Sequence, residues 1–172
     1  MTTNDEGAVG QTDSSDERWE QASLEDLIVH IVSTYHESLQ EELPRLESMA
    51  REVLEEQQEV DKETLAELLS TFLDLKAELG DHLMKEEQIL FPMILQGRGE
   101  DAGGPIMVMN QEHLAAKAAL ARLRELTVDY ELQAEAPESR RALWQGLAAL
   151  EEALHQHIHL EDDILFRRAL AG

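Results

Sequence analysis

Residues 82–91 read HLMKEEQILF, and residues 157–166 repeat the pattern as HIHLEDDILF. In each copy the first histidine precedes a glutamate by four positions, which places both side chains on one face of an α-helix. Each copy also has a histidine 46 or 44 residues upstream, at His36 and His113 respectively. The chain therefore has the pattern of a duplicated pair of helices, and each pair contributes two histidines and one glutamate.

Apolar residues recur at helical spacing in four stretches of the chain. These stretches are predicted as helices over about 24–58, 62–95, 105–127 and 137–169. Ser23 is the expected N-cap of the first helix, and Pro44 inside it should kink or divide it. Short to moderate connections between four amphipathic helices predict an all-α, up-down-up-down four-helix bundle over residues 23–172. Residues 1–22 are acidic and almost free of apolar side chains, so we predict a disordered tail there.

Composition excludes several classes of function. A formal net charge of −23 argues against nucleic acid as a partner, because phosphate binding needs clustered Lys and Arg. The chain has no cysteine, which excludes disulfides and thiolate metal sites. The N-terminus has no signal-peptide pattern, and no apolar run reaches the ~18 residues that a membrane helix needs. We therefore expect a cytoplasmic protein without membrane contact, and a monomer because no coiled-coil seam is evident.

The repeated histidines and glutamates continue the apolar stripes of their helices. In the second helix, steps of three and four lead from Leu79 to His82 and Glu86, and then to Ile89. Burying a charged glutamate on such a stripe is costly unless a positive partner, such as a metal ion, accompanies it. We therefore predict a two-metal site inside the bundle, formed by His36, His82, Glu86, His113, His157 and Glu161.

Other polar residues close to these positions are predicted to face solvent. His155 and His159 lie about 200° around the helix from His157, given about 100° per residue. His30 lies six positions before His36, so it is expected on the surface or beside the site. Three acidic residues are expected on solvated faces, namely Glu87, Asp162 and Asp163. The two Ile-Leu-Phe tripeptides are expected to pack in the core beside the site.

The ligand types narrow the choice of metal. Imidazole and carboxylate ligands without thiolate suit iron, manganese or zinc, and two glutamates can each bridge two ions. A structural zinc site would use four ligands around one ion. A ferritin-like site would need two Glu-x-x-His pairs, whereas this chain offers one, Glu152 to His155, on the wrong face. A surface zinc site at Glu152, His155 and His159 is the weaker interpretation, and a pair of iron ions is our prediction.

The chain resembles the hemerythrin-like superfamily, and more closely the repair-of-iron-centres family of di-iron proteins, which act on iron–sulfur clusters after nitrosative or oxidative stress. The resemblance extends over about 24–172 and rests on residues 30–36, 43–46, 82–94, 104–109, 112–113, 157–166 and 168–172. It implies two non-haem iron ions, oxo- or hydroxo-bridged when oxidised, with the four histidines as ligands and both glutamates as bridges. It also implies that Glu78 and Glu112 are acidic groups beside the site or on an iron path.

Departures from related patterns refine the resemblance. Oxygen-carrying hemerythrins have another histidine four residues after that of the third helix, where this chain has Lys117. Their fourth-helix carboxylate follows its histidine by five residues, whereas Glu161 follows His157 by four. Both differences favour the repair family. Full-length repair proteins usually have an N-terminal domain with a cysteine pair, so any step that uses those thiols here needs a partner.

These observations support three functions. The first is repair of iron–sulfur client proteins, in which labile iron held by neutral histidines is donated to damaged clusters. The second is binding or sensing of a small gaseous ligand, dioxygen or nitric oxide, at an open iron position. The third is di-iron reduction of nitric oxide or peroxide, and the sequence leaves open whether the protein is an enzyme. We favour repair because the resemblance to that family is specific.

Overall fold

The structure, a computed structural model, describes residues 14–56, 61–132 and 134–172. A short helix, α1, comes first (Ser14–Gln21), and four long helices follow. The helix α2 comprises Leu24–Ile31, a π-helical turn Val32–His36 and Glu37–Glu56. The helix α3 comprises Lys62–Lys85, a π-helical turn Glu86–Leu90 and Phe91–Leu95. The helix α4 is Gly103–Leu126, and a 3-10 turn, Gly99–Ala102, precedes it. The helix α5 comprises Glu138–His159, a π-helical segment Leu160–Phe166 and Arg167–Ala171.

The predicted all-α four-helix bundle is confirmed. Each long helix packs against two others, so that α2 and α4 each lie between α3 and α5. No strand occurs among the residues that the structure describes. Within these same ranges, none of the helices is long and apolar enough to cross a membrane.

The bundle has two apolar cores. The larger includes Phe72, Leu75 and Leu147, and the smaller includes Ile31, Phe91 and Phe166. Along each of the four long helices, the buried apolar residues on one side of the predicted site belong to one core, and those on the other side belong to the other core. On α4, for example, His113 lies between Met109 of the smaller core and Ala116 of the larger one. The candidate ligands therefore form a polar layer that is closed at both ends by apolar side chains.

The π-helical turns shift the register of the helices beside this layer. A π-helical turn takes up one residue more than an α-helical turn, and such turns are frequent at functional sites. After Glu86, the next buried residues are Leu90 and Phe91, while Ile89 is 53% exposed. The prediction that Ile89 packs in the core was therefore wrong, because it assumed an unbroken α-helical period.

Pro44 does not divide α2, since the α-helix runs through it from Glu37 to Glu56. Proline lacks the N–H that would bind the carbonyl oxygen of Gln40, four residues earlier. Both residues are exposed, so water can bind that carbonyl oxygen. The cost of the missing hydrogen bond is small on this face, and the helix continues.

The helix α1 lies within the segment that we predicted to be a disordered tail. Its only apolar residue, Trp19, is buried in the smaller core, and Arg168 donates hydrogen bonds to the backbone oxygens of Trp19 and Ala22 at 2.6 and 2.7 Å. One apolar residue gives no helical period, so the sequence pattern could not indicate this element. Ser23 caps α2 as predicted, since its Oγ accepts a hydrogen bond from the backbone N–H of Asp26. Residues 1–13 of the predicted tail lie outside the described residues.

Candidate metal centre

The six side chains predicted to bind metal meet in the polar layer, and all of them are buried. Their donor atoms form two groups, each with every ligand atom within 4.8 Å of the others: His36, Glu86, His157 and Glu161, and His82, Glu86, His113 and Glu161. Each group contains two histidines, and both groups share the same two glutamates. This is the arrangement expected of two neighbouring ions with two shared carboxylates.

The two carboxylates extend from one group to the other. Glu86 places Oε2 at 3.4 Å from Nε2 of His36 and Oε1 at 3.3 Å from Nε2 of His82. Glu161 places Oε1 at 2.9 Å from Nε2 of His157 and Oε2 at 3.2 Å from Nε2 of His113. Each carboxylate thus presents one oxygen to each group, which is the geometry of a bridging ligand.

The surroundings of the glutamates fit a bound cation. Both side chains are 0% exposed, yet both carboxylate oxygens of Glu86 and Oε2 of Glu161 have no hydrogen-bond partner among the described residues. A buried carboxylate without a partner is costly, and positive ions between the two groups would supply the missing interaction. The donor set and the orphaned oxygens therefore fit a pair of metal ions.

Three outer carboxylates orient the histidines. Nδ1 of His36 donates to Oε1 of Glu87 at 2.8 Å, and Nδ1 of His82 donates to Oε2 of Glu112 at 2.9 Å. Such partners fix the ring orientation and leave the Nε2 lone pair free to bind metal. Glu87 is exposed as predicted, but its carboxylate also reaches His36 on a different helix, and this contact was not predicted.

The third carboxylate belongs to Asp162, which was predicted to face solvent. It is only partly exposed, and it accepts a hydrogen bond from Nδ1 of His113 at 2.7 Å. The sequence held a signal for both residues, since each copy of the repeat places an acidic residue directly after its glutamate. Asp163, in contrast, is exposed as predicted and bonds to His159 on the surface.

His157 differs from the other three histidines. Its Nδ1 is buried and has no hydrogen-bond partner in the described parts of the chain. Its ring face is covered by Tyr35, whose ring centroid lies 5.2 Å away at an interplanar angle of 8°. The group that contains His36 and His157 is therefore supported by one outer carboxylate, and the other group is supported by two.

The two acidic residues implied by the resemblance lie at one side of the site. Glu112 bonds to His82 and forms an ion pair with Lys85. Glu78 is exposed and lines a cavity of about 320 Å³ whose wall also includes His82 and His157. Glu112 thus contacts a candidate ligand directly, whereas Glu78 lies on the way from the site to the surface.

Protonation of the histidines depends on the balance between burial and neighbouring charge. Burial alone would lower the pKa of each ring, because it penalises the charged form. The carboxylates around His36 and His82 outweigh this effect and raise both pKa values. For His113 the hydrogen bond to Asp162 and the nearby carboxylate of Glu161 raise the pKa to about 9. Metal binding at His113 therefore has to displace a proton at neutral pH.

The two glutamates are shifted in opposite directions. Burial, together with the charge of Glu161, raises the pKa of Glu86. Burial would also raise the pKa of Glu161, but the charge of His157 and the close approach of three histidine rings hold it well below its ordinary value. The pair thus shares its negative charge unevenly, as expected for two close carboxylates in a buried layer.

Comparisons with known proteins agree with this geometry. Residues 27–169 match the Hemerythrin HHE cation binding domain. The chain is also 43% identical over 155 residues to the iron-sulfur cluster repair protein YtfE of Escherichia coli O81 (strain ED1a) and 42% identical over 155 residues to that of Escherichia fergusonii. Each alignment covers 90% of this chain and 70% of the relative.

Proposed function

The chain belongs to the Hemerythrin HHE cation binding domain family, and on this basis we propose that it repairs damaged iron–sulfur clusters by donating iron. The family's cofactor is a pair of non-haem iron ions, and the two groups of histidine and glutamate fit that pair. Similar proteins are named for iron–sulfur cluster repair, which supports the role proposed here. Its partners would be iron–sulfur client proteins.

In this proposal, residues 23–172 form the metal-binding unit. His36 and His157 would hold one ion, His82 and His113 would hold the other, and Glu86 and Glu161 would be shared by both. Bound iron would supply reversible change between the ferrous and ferric states and positions open to a small ligand. The chain itself supplies a buried layer of imidazole and carboxylate ligands, and its outer carboxylates keep Nε2 of three histidines directed inward.

The observation on which donation rests is the uneven support of the two groups. A carboxylate on Nδ1 raises the basicity of a ligating histidine, and its removal typically weakens metal binding. His157 has no such partner among the described residues, while His82 and His113 both have one. We therefore expect the ion held by His36 and His157 to be the weaker bound and the one that is donated.

The cavity beside the site supplies a route for that ion. Its wall includes three candidate ligands and the acidic residues Glu78, Asp81 and Glu112. Carboxylates suit a divalent cation that has just left its histidines, because opposite charge lowers the cost of its passage through a partly buried space. In this proposal Glu78 and Glu112 line the exit path and remain outside the set of resident ligands.

The test measures the transfer of iron from the protein to a damaged client cluster. The protein is loaded anaerobically with two ⁵⁷Fe ferrous ions and mixed with a hydro-lyase whose natural-abundance cluster has been oxidised to the [3Fe–4S] form. One ferrous ion and one electron, supplied by added dithionite, convert that cluster to [4Fe–4S]. An excess of ferrous chelator removes iron that is free in solution. Mössbauer spectra should then show ⁵⁷Fe in the client cluster and one ion lost from the protein.

The control is a double variant, Glu86→Ala with Glu161→Ala, treated identically. It should bind no coupled iron pair and repair no cluster. If the natural chain keeps both ferrous ions while the client remains [3Fe–4S], the donation proposal is wrong even though the metal pair exists. If the natural chain holds a single uncoupled ion, the site assignment is wrong as well.

A second candidate function is favoured by the same cavity. Its volume of about 320 Å³ beside His82, His113 and His157 is sufficient for dioxygen or nitric oxide. Stopped-flow spectra of the ferrous protein would show a reversible, stable adduct if the protein binds such a ligand, and rapid autoxidation would argue against it.

The expected monomeric state and cytoplasmic location stay predictions, which sedimentation and cell fractionation can test.

A further inference from the structure

A continuous series of aromatic rings leads from α1 to the candidate metal centre. Trp19 stacks on His30 with ring centroids 4.4 Å apart at 24°. His30 meets the edge of Tyr35 at 5.9 Å, and Tyr35 stacks on His157 at 5.2 Å. Residues of α1 and α2 thus meet the distant helix α5 in one series of rings, and the last ring belongs to a candidate metal ligand.

The two oxidisable members of the series have different surroundings. Trp19 is 6% exposed, and the guanidinium of the exposed Arg18 lies over its ring at 4.6 Å. Tyr35 is half-buried and lines a cavity of about 310 Å³ with the polar side chains of Ser38 and Glu42. Water in this cavity can take up the phenolic proton when Tyr35 loses an electron. The indole needs no such acceptor, because it can lose an electron and keep its N–H proton as a radical cation.

We propose that Tyr35 and Trp19, coupled through His30, form a path that carries oxidising equivalents away from the metal centre to the protein surface. The inference rests on the proposed iron pair at His157, since iron exposed to peroxide generates one-electron oxidants. Hydrogen peroxide needs two electrons and two protons to become two waters. If the bound iron could supply only one of these electrons, Tyr35 would supply the second.

The steps balance along the path. Tyr35 gives up one electron, its phenolic O–H bond breaks, and the proton passes to water in the cavity. The tyrosyl radical then regains an electron from Trp19 and a proton from water, which leaves the indole as a radical cation that keeps its N–H proton. A small thiol at the surface gives one electron to the indole and releases its own proton to solvent. Both side chains are restored, and two oxidised thiols combine to a disulfide.

Packing alone would also bury Trp19 against the smaller core. Electron transfer additionally requires electronic coupling between Trp19 and Tyr35, and optical kinetics measure this coupling separately from stability. The chain contains two tryptophans and two tyrosines, so Trp144 and Tyr130 provide a matched comparison far along the bundle.

The experiment uses zinc-loaded protein, in which the metal cannot change its oxidation state. A ruthenium photo-oxidant in solution generates the tryptophan radical with a laser flash. In a Trp144→Phe, Tyr130→Phe variant, the tryptophan radical should decay as the tyrosyl radical forms, at a rate independent of protein concentration. This is the reverse of the proposed transfer, and it depends on the same electronic coupling between Trp19 and Tyr35. Replacing His30 by Leu should abolish this phase. Thermal unfolding followed by circular dichroism checks that the variant still folds. Decay without tyrosyl formation, or no effect of His30→Leu, would overturn the proposal.

Single variants cover the case in which the double variant does not fold. Tyrosyl formation should be lost in Tyr35→Phe and retained in Tyr130→Phe, each measured against the natural chain. In ferrous protein treated with peroxide, electron paramagnetic resonance should detect a tyrosyl radical that persists longer in Trp19→Phe than in the natural chain. Because the zinc experiment contains no iron, its failure would refute the path and leave iron donation to be judged by the ⁵⁷Fe transfer experiment.

Discussion

Individual residues outside the ligand set control how firmly each ion is held. Asp162 accepts the hydrogen bond from Nδ1 of His113, so Asp162→Asn should weaken metal binding by about 10- to 100-fold. Competition with a chromophoric chelator measures this change. Asp163→Asn is the matched control, because Asp163 bonds to the exposed His159 and should leave affinity unchanged. Equal affinities for the two variants would contradict the supporting role of Asp162.

The protonation of His113 gives a prediction about pH. Its pKa is about 9 in the folded protein without metal, compared with an ordinary value of 6.5. The charged ring therefore stabilises the metal-free fold fully below the ordinary value, and this stabilisation is lost as the pH rises through about 9. Metal binds the neutral ring, so affinity should rise with pH over the same interval. Calorimetry in buffers of different ionisation enthalpy should detect proton release on zinc binding at neutral pH.

That release should diminish above about pH 9, where His113 is already neutral. It should also diminish in Asp162→Asn at neutral pH, because the variant replaces the carboxylate that raises the pKa of His113 by a neutral amide. Binding that releases no protons at neutral pH would show that the histidines are neutral before metal arrives.

Among the elements, the π-helical turn of α3 determines which side chains reach the core. Leu90 is 1% exposed and Ile89 is 53% exposed. Leu90→Ala should therefore cost about 2–5 kcal/mol of unfolding free energy. Ile89→Ala, a change of similar size at the adjacent position, should cost roughly 0.5 kcal/mol or less. Urea unfolding of the metal-free variants measures both values, and equal costs would argue for an uninterrupted α-helix.

Some features of the helices could be predicted from the sequence, and others could not. The four long helices and the six converging side chains could be predicted, because apolar period and repeat spacing fix which face of each helix is buried. The period could not predict the π-helical turns, which add a residue without changing composition. It also could not predict that Glu87 reaches His36, because contacts between helices depend on how the helices pack. Trp19 was missed because a single apolar residue has no period.

In the whole molecule, a polar layer separates two apolar cores, and this couples metal binding to folding. The cores supply stability at both ends, while the layer contains two buried carboxylates with three unpartnered oxygens among the described residues. A ligand that binds only the folded state stabilises it by mass action. Metal should therefore raise the stability of the entire bundle, because residues from all four long helices contribute to the site.

Replacing one of the two shared carboxylates separates the stability of the metal-free fold from the stabilisation that metal adds. Burial and the charge of Glu161 raise the pKa of Glu86, so negative charge at Glu86 is unfavourable in the absence of metal. The metal-free Glu86→Gln variant should therefore melt at or above the temperature of the metal-free natural chain, since glutamine has nearly the same shape and no charge. With metal at ~100 times the dissociation constant, the natural chain should gain about 2.7 kcal/mol per independent site. The variant should lose most of this gain, because it lacks a shared anionic ligand.

Calorimetric melting of both proteins with and without zinc provides the measurement. Glu41→Gln is the control, because Glu41 is exposed on α2 and its replacement should leave the metal-dependent gain unchanged. A Glu86→Gln variant that keeps the full gain would mean that the carboxylate does not bridge the two ions. A metal-free variant that melts well below the natural chain would mean that Glu86 stabilises the fold without metal. Only the predicted combination, a more stable metal-free fold with little gain from metal, assigns the buried charge of Glu86 to metal binding.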